Sequence, residues 1–143
     1  MKPIVLLVEP IHAEYLRLLR KHCRVVRPKG FSERELSLAA RGCDAIVIRT
    51  KGCVSARIIA AAPKLKVIGR HGVGLEHIDL KAAAQAGVWV VYTPAGSLDA
   101  VAEHTWMMIL ALAKHARGGD RAVRERDYEF RARQESLQLA GKT

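Results

Sequence analysis

With 143 residues, half of them apolar and 27% charged, the chain has the balance of a soluble globular protein of about one domain, which excludes a disordered, fibrous or collagen-like protein. The net charge of +10 admits phosphate-bearing partners. However, residues 1–113 hold 16 basic and 9 acidic groups and residues 114–143 hold 8 and 5, so no arm or tail concentrates the charge, and a generally basic surface or a taste for small anions fits as well.

Ile4–Val8 is an unbroken apolar run followed by Pro10, the pattern of a parallel strand covered on both faces. It is too short for a signal-peptide core or a membrane span, so a cytoplasmic protein is expected. Residues 12–22 place Tyr15, Leu16, Leu18 and Leu19 at helical spacing with basic residues opposite. A short strand at Val25–Val26 follows, and then Ser32 and Glu35 in the S-x-x-E order of a capping box that opens a helix.

The rhythm repeats downstream. Residues 44–49 read as a strand, 55–62 as a helix, 65–70 as a strand, 80–87 as a helix stopped by Gly87, and 88–92 as a strand. Such alternation predicts an α/β fold: a flavodoxin-like, doubly wound parallel sheet of about five strands, with ligands at the carboxyl ends of the strands. Three loops fall at those ends, RTKG (49–52), GRHGVG (69–74) and TPAGS (93–97). Their glycines let a ligand approach backbone N–H groups, which predicts one site built from three loops.

From Asp99 the character changes. Residues 99–117 read as one long helix ended by Gly118–Gly119, apolar on nearly every face through Trp106, Met107, Met108, Ile109, Leu110 and Leu112. A helix of that kind needs a further domain or a second subunit to cover it. The predicted division is therefore 1–98 for a first domain and 99–143 for a linking helix and the start of another.

Several motifs have competing readings. GVGLEH (72–77) begins like the dinucleotide fingerprint G-x-G-x-x-G, but His77 holds the third place and no acid ends the next strand. GRHG (69–72) matches the GxxG of a nucleic-acid clamp in a fold of the wrong rhythm, and AGKT at the end lacks the first glycine and the strand of a phosphate loop. Arg49 and Arg70 close strands at the crevice, where a guanidinium can hold a carboxylate or phosphate with two hydrogen bonds, or simply be solvated or pair with Glu76 or Asp79. His71, His77, His104 and His115 have no spacing partner that makes a nucleophile or metal case. Glu103 and His104, adjacent on a helix, diverge by about 100°. Cys23, Cys43 and Cys53, with no CxxC pair and no zinc spacing, read as buried, reduced thiols, and no metal site is expected.

Taken together, LKVIGRHGVGLEHIDLKAAAQAGVWVVYTPAGSLDAVAEHTWMMILALAK closely resembles the D-isomer-specific 2-hydroxyacid dehydrogenases, the family of D-3-phosphoglycerate dehydrogenase, and the likeness runs through the whole chain. VIRTKG resembles that family's first substrate loop, GRHGVGLEHIDL its second, and TPAGSLDAVAEHT its hinge. The resemblance implies that Val73 and Gly74 bind the substrate carboxylate, that Gly72 and Arg70 shape the turn, and that Arg49, Thr50 and Lys51 line the other wall. It also implies that Val73 approaches the nicotinamide. Ser97 stands where the family usually carries Asn, which puts one substrate contact in question.

LQLAGKT resembles the words that precede the family's dinucleotide turn. The expectation is thus the substrate-binding part of an NAD-dependent oxidoreductase for a D-2-hydroxy acid, 3-phosphoglycerate or a related 2-hydroxy or 2-oxo acid. The cofactor domain and the catalytic Arg, Glu and His are expected beyond Thr143, NAD or NADP is decided there, and the chain alone should not turn over. A homodimer through the 99–117 helix is implied, with neither a membrane nor a specific nucleic-acid partner. The rival reading is a stand-alone flavodoxin-like module that binds a small acid or regulates and dimerises. A nucleic-acid role is third.

Overall fold

The structure is a computed structural model that describes residues 2–142. The chain forms two compact units, Met1–Gly96 and Ser97–Thr143. No helix among the described residues is long and apolar enough to cross a membrane.

The first unit runs β1 (Ile4–Leu7), α1 (Ala13–His22), β2 (Arg24–Val26), α2 (Glu33–Ala40), β3 (Ala45–Ile48), α3 (Ala56–Ala60), β4 (Val67–Arg70), α4 (Leu80–Gln85) and β5 (Trp89–Tyr92). All strands are parallel, in the order β2-β1-β3-β4-β5. The chain goes from β1 outward to β2, then returns to the other side of β1 for β3. The point of reversal between β1 and β3 is where such sheets open a crevice at their carboxyl ends.

Successive residues of a strand point to opposite faces, and the register sorts the core accordingly. Leu6, Ile46, Ile68 and Val90 form one row across the sheet, in the same cluster as Leu36 and Ala40 of α2, Ile58 and Ile59 of α3 and Ala83 of α4. The opposite row runs Leu7, Val47, Gly69, Val91. Its exposure rises along the sheet, from Leu7, fully buried, to Val91 at 53%. Trp89, on that same side of β5, is 76% exposed, so one face of the sheet is fully packed and the other is bare towards its β5 edge. Local sequence fixes the start of α2. The Ser32 hydroxyl accepts from the Glu35 N–H and the Glu35 carboxylate accepts from the Ser32 N–H, completing the capping box of α2.

The second unit holds α5 (Leu98–Ala113), α6 (Ala116–Arg124) and α7 (Phe130–Arg133). A single helix to Gly118–Gly119 was expected, and the structure corrects it. The helix stops at Ala113, and His115 turns the chain with a left-handed φ of 51°. The tail meets this break. The Leu137 N–H donates to the Ala113 carbonyl at 2.9 Å, Lys114 Nζ donates to the Leu137 carbonyl at 2.7 Å, and His115 Nε2 lies 3.1 Å from the Glu135 carbonyl. Carbonyls at a helix end need such partners. Gly118 and Gly119 lie inside α6, where a Cβ on Gly118 would stand 2.6 Å from Phe130 Cζ, so the missing side chain admits the ring.

Candidate functional site

Three loops follow β3, β4 and β5, and hydrogen bonds stitch them into one rim. The first, residues 49–52, wraps a carboxylate. Glu9 Oε1 accepts from the N–H of Arg49 at 3.2 Å, from that of Lys51 at 2.7 Å and from that of Thr50. Glu9 is only 8% exposed. Burial pushes its pKa up, but the backbone bonds from Lys51, Thr50 and Arg49 and the nearby Arg49 charge outweigh this and hold it below the ordinary value. The side chains of Arg49 and Thr50 are left exposed to solvent, and Lys51 Nζ rests 5.3 Å from the centre of the Phe31 ring.

The second loop is shaped by Arg70. Its Nε donates to the Gly74 carbonyl at 2.7 Å and its Nη1 to the His71 carbonyl at 2.8 Å. The guanidinium thus ties the turn from within and pairs with neither Glu76 nor Asp79. Gly72 sits at φ +146°, where a Cβ would meet Arg70 Nη1 at 2.9 Å. At the tip Val73 is 57% exposed, and the N–H groups of Val73 and Gly74 have no hydrogen-bond partner among the described residues.

The third loop contributes Thr93, a residue that motif reasoning passed over. Its Oγ1 accepts from the Gly72 N–H at 2.9 Å, and its own N–H donates to the Gly72 carbonyl at 3.2 Å. Loops one and two are joined in turn by a bridge of Val54 with Ile78, through Val54 N–H to the His77 carbonyl at 2.7 Å and Asp79 N–H to the Val54 carbonyl at 2.9 Å. Between β3, β4 and β5 the rim overhangs a hollow of about 230 Å³ lined by Val47, Gly69, Arg70, His71, Val91, Tyr92 and Thr93. A larger hollow of about 420 Å³ between α4 and β5 is lined by apolar side chains such as Leu80 and Trp89.

The structure therefore brings Arg49, Thr50, Lys51, Arg70, Gly72, Val73 and Gly74 onto one rim of the first unit. Ser97 opens the second unit at the start of α5, where its side chain makes no capping bond. The expectation of three buried thiols needs correction: Cys43 is buried, Cys23 is half-buried and Cys53 is exposed, because Cys53 lies on the rim rather than under a helix. Its Sγ stands 3.8 Å from His77 Nδ1, and His77 Nε2 stands 3.8 Å from Glu76 Oε1. His104 lies on α5 and His115 at the break after it.

The glycine turn does not fit the phosphates of a dinucleotide. A pyrophosphate needs a free helix N-terminus directly after the turn, but α4 begins only at Leu80, and its first turn already holds the Asp79 carboxylate, which accepts from the Ala82 N–H at 2.9 Å. What the turn offers is unpaired backbone donors, those of Val73 and Gly74 among them, next to the Arg70 guanidinium, with the Glu76 carboxylate close to Gly74.

The profile of the family described as D-isomer specific 2-hydroxyacid dehydrogenase, catalytic domain, matches residues 5–139. A D-3-phosphoglycerate dehydrogenase of Archaeoglobus fulgidus is 41% identical over 97% of this chain and 26% of its own length. Among solved structures, a 2-hydroxyacid dehydrogenase of Ketogulonicigenium vulgare Y25 superposes with a TM-score of 0.76 at 27% identity, covering 96% of this chain and 43% of that one. A 3-phosphoglycerate dehydrogenase of Entamoeba histolytica, solved with NAD+ bound, shares the fold at 21% identity and a TM-score of 0.66, over 78% of this chain and 39% of its own. The chain spans about a quarter of the length of the curated relatives it matches.

Proposed function

This chain belongs to the D-isomer specific 2-hydroxyacid dehydrogenase family, and we propose that it supplies the substrate-binding part of an NAD-dependent enzyme acting on a D-2-hydroxy acid, 3-phosphoglycerate or a related acid. The observation that carries the proposal is the pair of unpartnered N–H groups at Val73 and Gly74, on a turn that Arg70 and Thr93 hold open. Preorganised backbone donors of this kind bind a carboxylate without reorganising. Arg49 and Lys51 then stand at the other side of the rim for the more distant charge of the substrate.

NAD, or NADP, supplies the hydride acceptor in such an oxidation. On this rim the exposed Val73 side chain would offer it one apolar contact, since the turn is no phosphate cradle. The phosphates and the acid/base chemistry belong to groups other than those placed here, and this chain by itself is expected not to turn over. The bare apolar surface of α5 supports a homodimer formed through residues 99–117, and three free cysteines suit the reducing cytoplasm.

Titration of the isotope-labelled chain with 3-phosphoglycerate tests the assignment. The Val73 and Gly74 amide resonances should move with saturation, and glycerol 3-phosphate, which lacks the carboxylate, should leave them in place. Equal responses to both compounds, or none to either, would count against a carboxylate site at this turn.

A further inference from the structure

We propose that Glu9 is a positioning residue, a built-in anion that occupies the switch-point crevice of the sheet and holds the Arg49–Lys51 loop in the shape that presents its side chains. The role of those side chains toward an acid substrate rests on the function proposed above. The hold on the backbone does not.

The topology places this contact. Glu9 leaves the carboxyl end of β1 and the loop leaves that of β3, the two strands between which the chain reverses direction. In open α/β sheets that crevice is where an external ligand meets backbone N–H groups. Here three consecutive N–H groups, from Arg49, Thr50 and Lys51, converge on a single oxygen, Glu9 Oε1. Consecutive main-chain donors that converge in this way make an anion nest, and the chain fills it with its own carboxylate.

Two consequences follow from the geometry. First, the backbone of this loop is closed to any external anion, so only the Arg49, Thr50 and Lys51 side chains remain to meet one. Second, the carboxylate sits behind the loop and the side chains in front, so the loop's conformation depends on a charge that touches no ligand. The charged and titratable groups facing Glu9 are those of this loop, Arg49 above all. The neighbouring strand β3 contributes the Val47 carbonyl, which accepts from the Val8 N–H at 2.9 Å and carries no charge. On the far side, Gly52 takes φ +80° with Leu36 close by, so the loop closes over α2 just after the nest.

Glu9→Ala removes a CH2–COO⁻ group, and acetate has the size to replace it. Amide hydrogen exchange of residues 49–51, read by NMR on the full 143-residue chain, gives the test. In Glu9→Ala these three amides should exchange at least ten times faster than in the wild type, while the Glu35 amide of the capping box keeps its rate. Added acetate should restore protection, and acetamide, matched in shape but neutral, should not.

Exchange at 49–51 that is unchanged in Glu9→Ala would overturn the proposal, as would rescue by acetamide equal to that by acetate. If Glu9→Ala does not fold, Glu9→Gln keeps the volume and removes the charge, and it should show the same three amides loosened selectively. Protection identical to wild type there sinks the idea equally. A chain in which Glu9 governs these amides but Val73 and Gly74 ignore 3-phosphoglycerate would retain the anchor and lose the substrate assignment, so the two failures are told apart.

Discussion

Gly72 and Thr93 are joined by two hydrogen bonds, Gly72 N–H to Thr93 Oγ1 at 2.9 Å and Thr93 N–H to the Gly72 carbonyl at 3.2 Å. They lie 21 residues apart, after β4 and β5 respectively, so the pair welds the glycine turn to the last loop of the sheet. Thr93→Val keeps the side-chain shape and loses the acceptor. The Gly72 N–H lies on a solvated rim, so the cost should be about 1 kcal/mol, the usual net value of one hydrogen bond. Urea denaturation should show that loss, and Thr93→Ser, which keeps the oxygen, should recover most of it. A Thr93→Val midpoint equal to wild type would mean that the hydroxyl does not brace the turn.

Gly72→Ala should cost more than Gly87→Ala. Both glycines have positive φ, +146° and +67°, but nothing lies within 4 Å of a Cβ on Gly87, whereas on Gly72 it would press against Arg70 Nη1 at 2.9 Å. Backbone strain of about 1–3 kcal/mol is common to both. The extra term at Gly72 is displacement of the Arg70 guanidinium from the His71 and Gly74 carbonyls, so this variant should also weaken 3-phosphoglycerate binding. Equal stability losses and unchanged binding in the two variants would show that Arg70 accommodates the methyl freely.

Much of the fold was legible because its determinants are local. Unalternated apolar runs marked β1 and β3, and Ser32 with Glu35 marked the start of α2 to the residue. The candidate site was legible in part, through glycines and arginines at strand ends. What was hidden depends on pairing across the chain. Glu9 is a single acid before a proline and forms no pattern in sequence. Its role appears only when β1 and β3 lie side by side and set it against amides 40 to 42 residues away. The break after Ala113 has the same origin. Residues 99–117 read as one helix stopped by Gly118–Gly119, whereas α5 ends at Ala113, whose carbonyl accepts from the N–H of the distant Leu137. Cys53 reads as buried because a free cysteine usually is, whereas its neighbours in space are a turn and a histidine.

Acid should destabilise the first unit through two carboxylates whose pKa values lie below their ordinary 4.5. Burial raises that of Glu9, but the backbone donors of the 49–51 loop more than reverse this. At Glu35 the Ser32 side chain leads, followed by the Ser32 backbone N–H. A carboxyl whose folded pKa is depressed adds stability that is complete above its unfolded value and is lost as pH falls through the folded one. The wild-type chain should therefore hold a level stability down to about pH 5 and lose it progressively below about pH 4.5. Glu9→Gln and Glu35→Gln should each flatten that decline. Ser32→Ala should cost about 1 kcal/mol at neutral pH, the worth of an N-cap, and less in acid. An acid limb equally steep in all three variants would place its cause in other groups.

The surface of α5 leads to the last expectation. Of its 16 residues only Ala113 is buried, while Trp106, Met107, Met108, Ile109, Leu110 and Leu112 are exposed, Leu112 at 73%. A run of exposed large apolar side chains of this extent marks an association surface, and homodimers bury such faces as if they were a core cut in half. Light scattering should therefore give a mass twice the chain's 15.8 kDa, with dissociation on dilution. Trp106→Glu with Leu112→Glu places two charges on that surface, where burying them unpaired costs several kcal/mol, and should yield a monomer whose far-ultraviolet circular dichroism matches the wild type. The first unit supplies the control: Trp89→Glu changes a still more exposed aromatic on β5, and it should leave the mass doubled if α5 carries the contact. A wild-type chain that scatters as a monomer at every concentration, or a Trp89 variant that dissociates while the α5 variant does not, would remove α5 from that role.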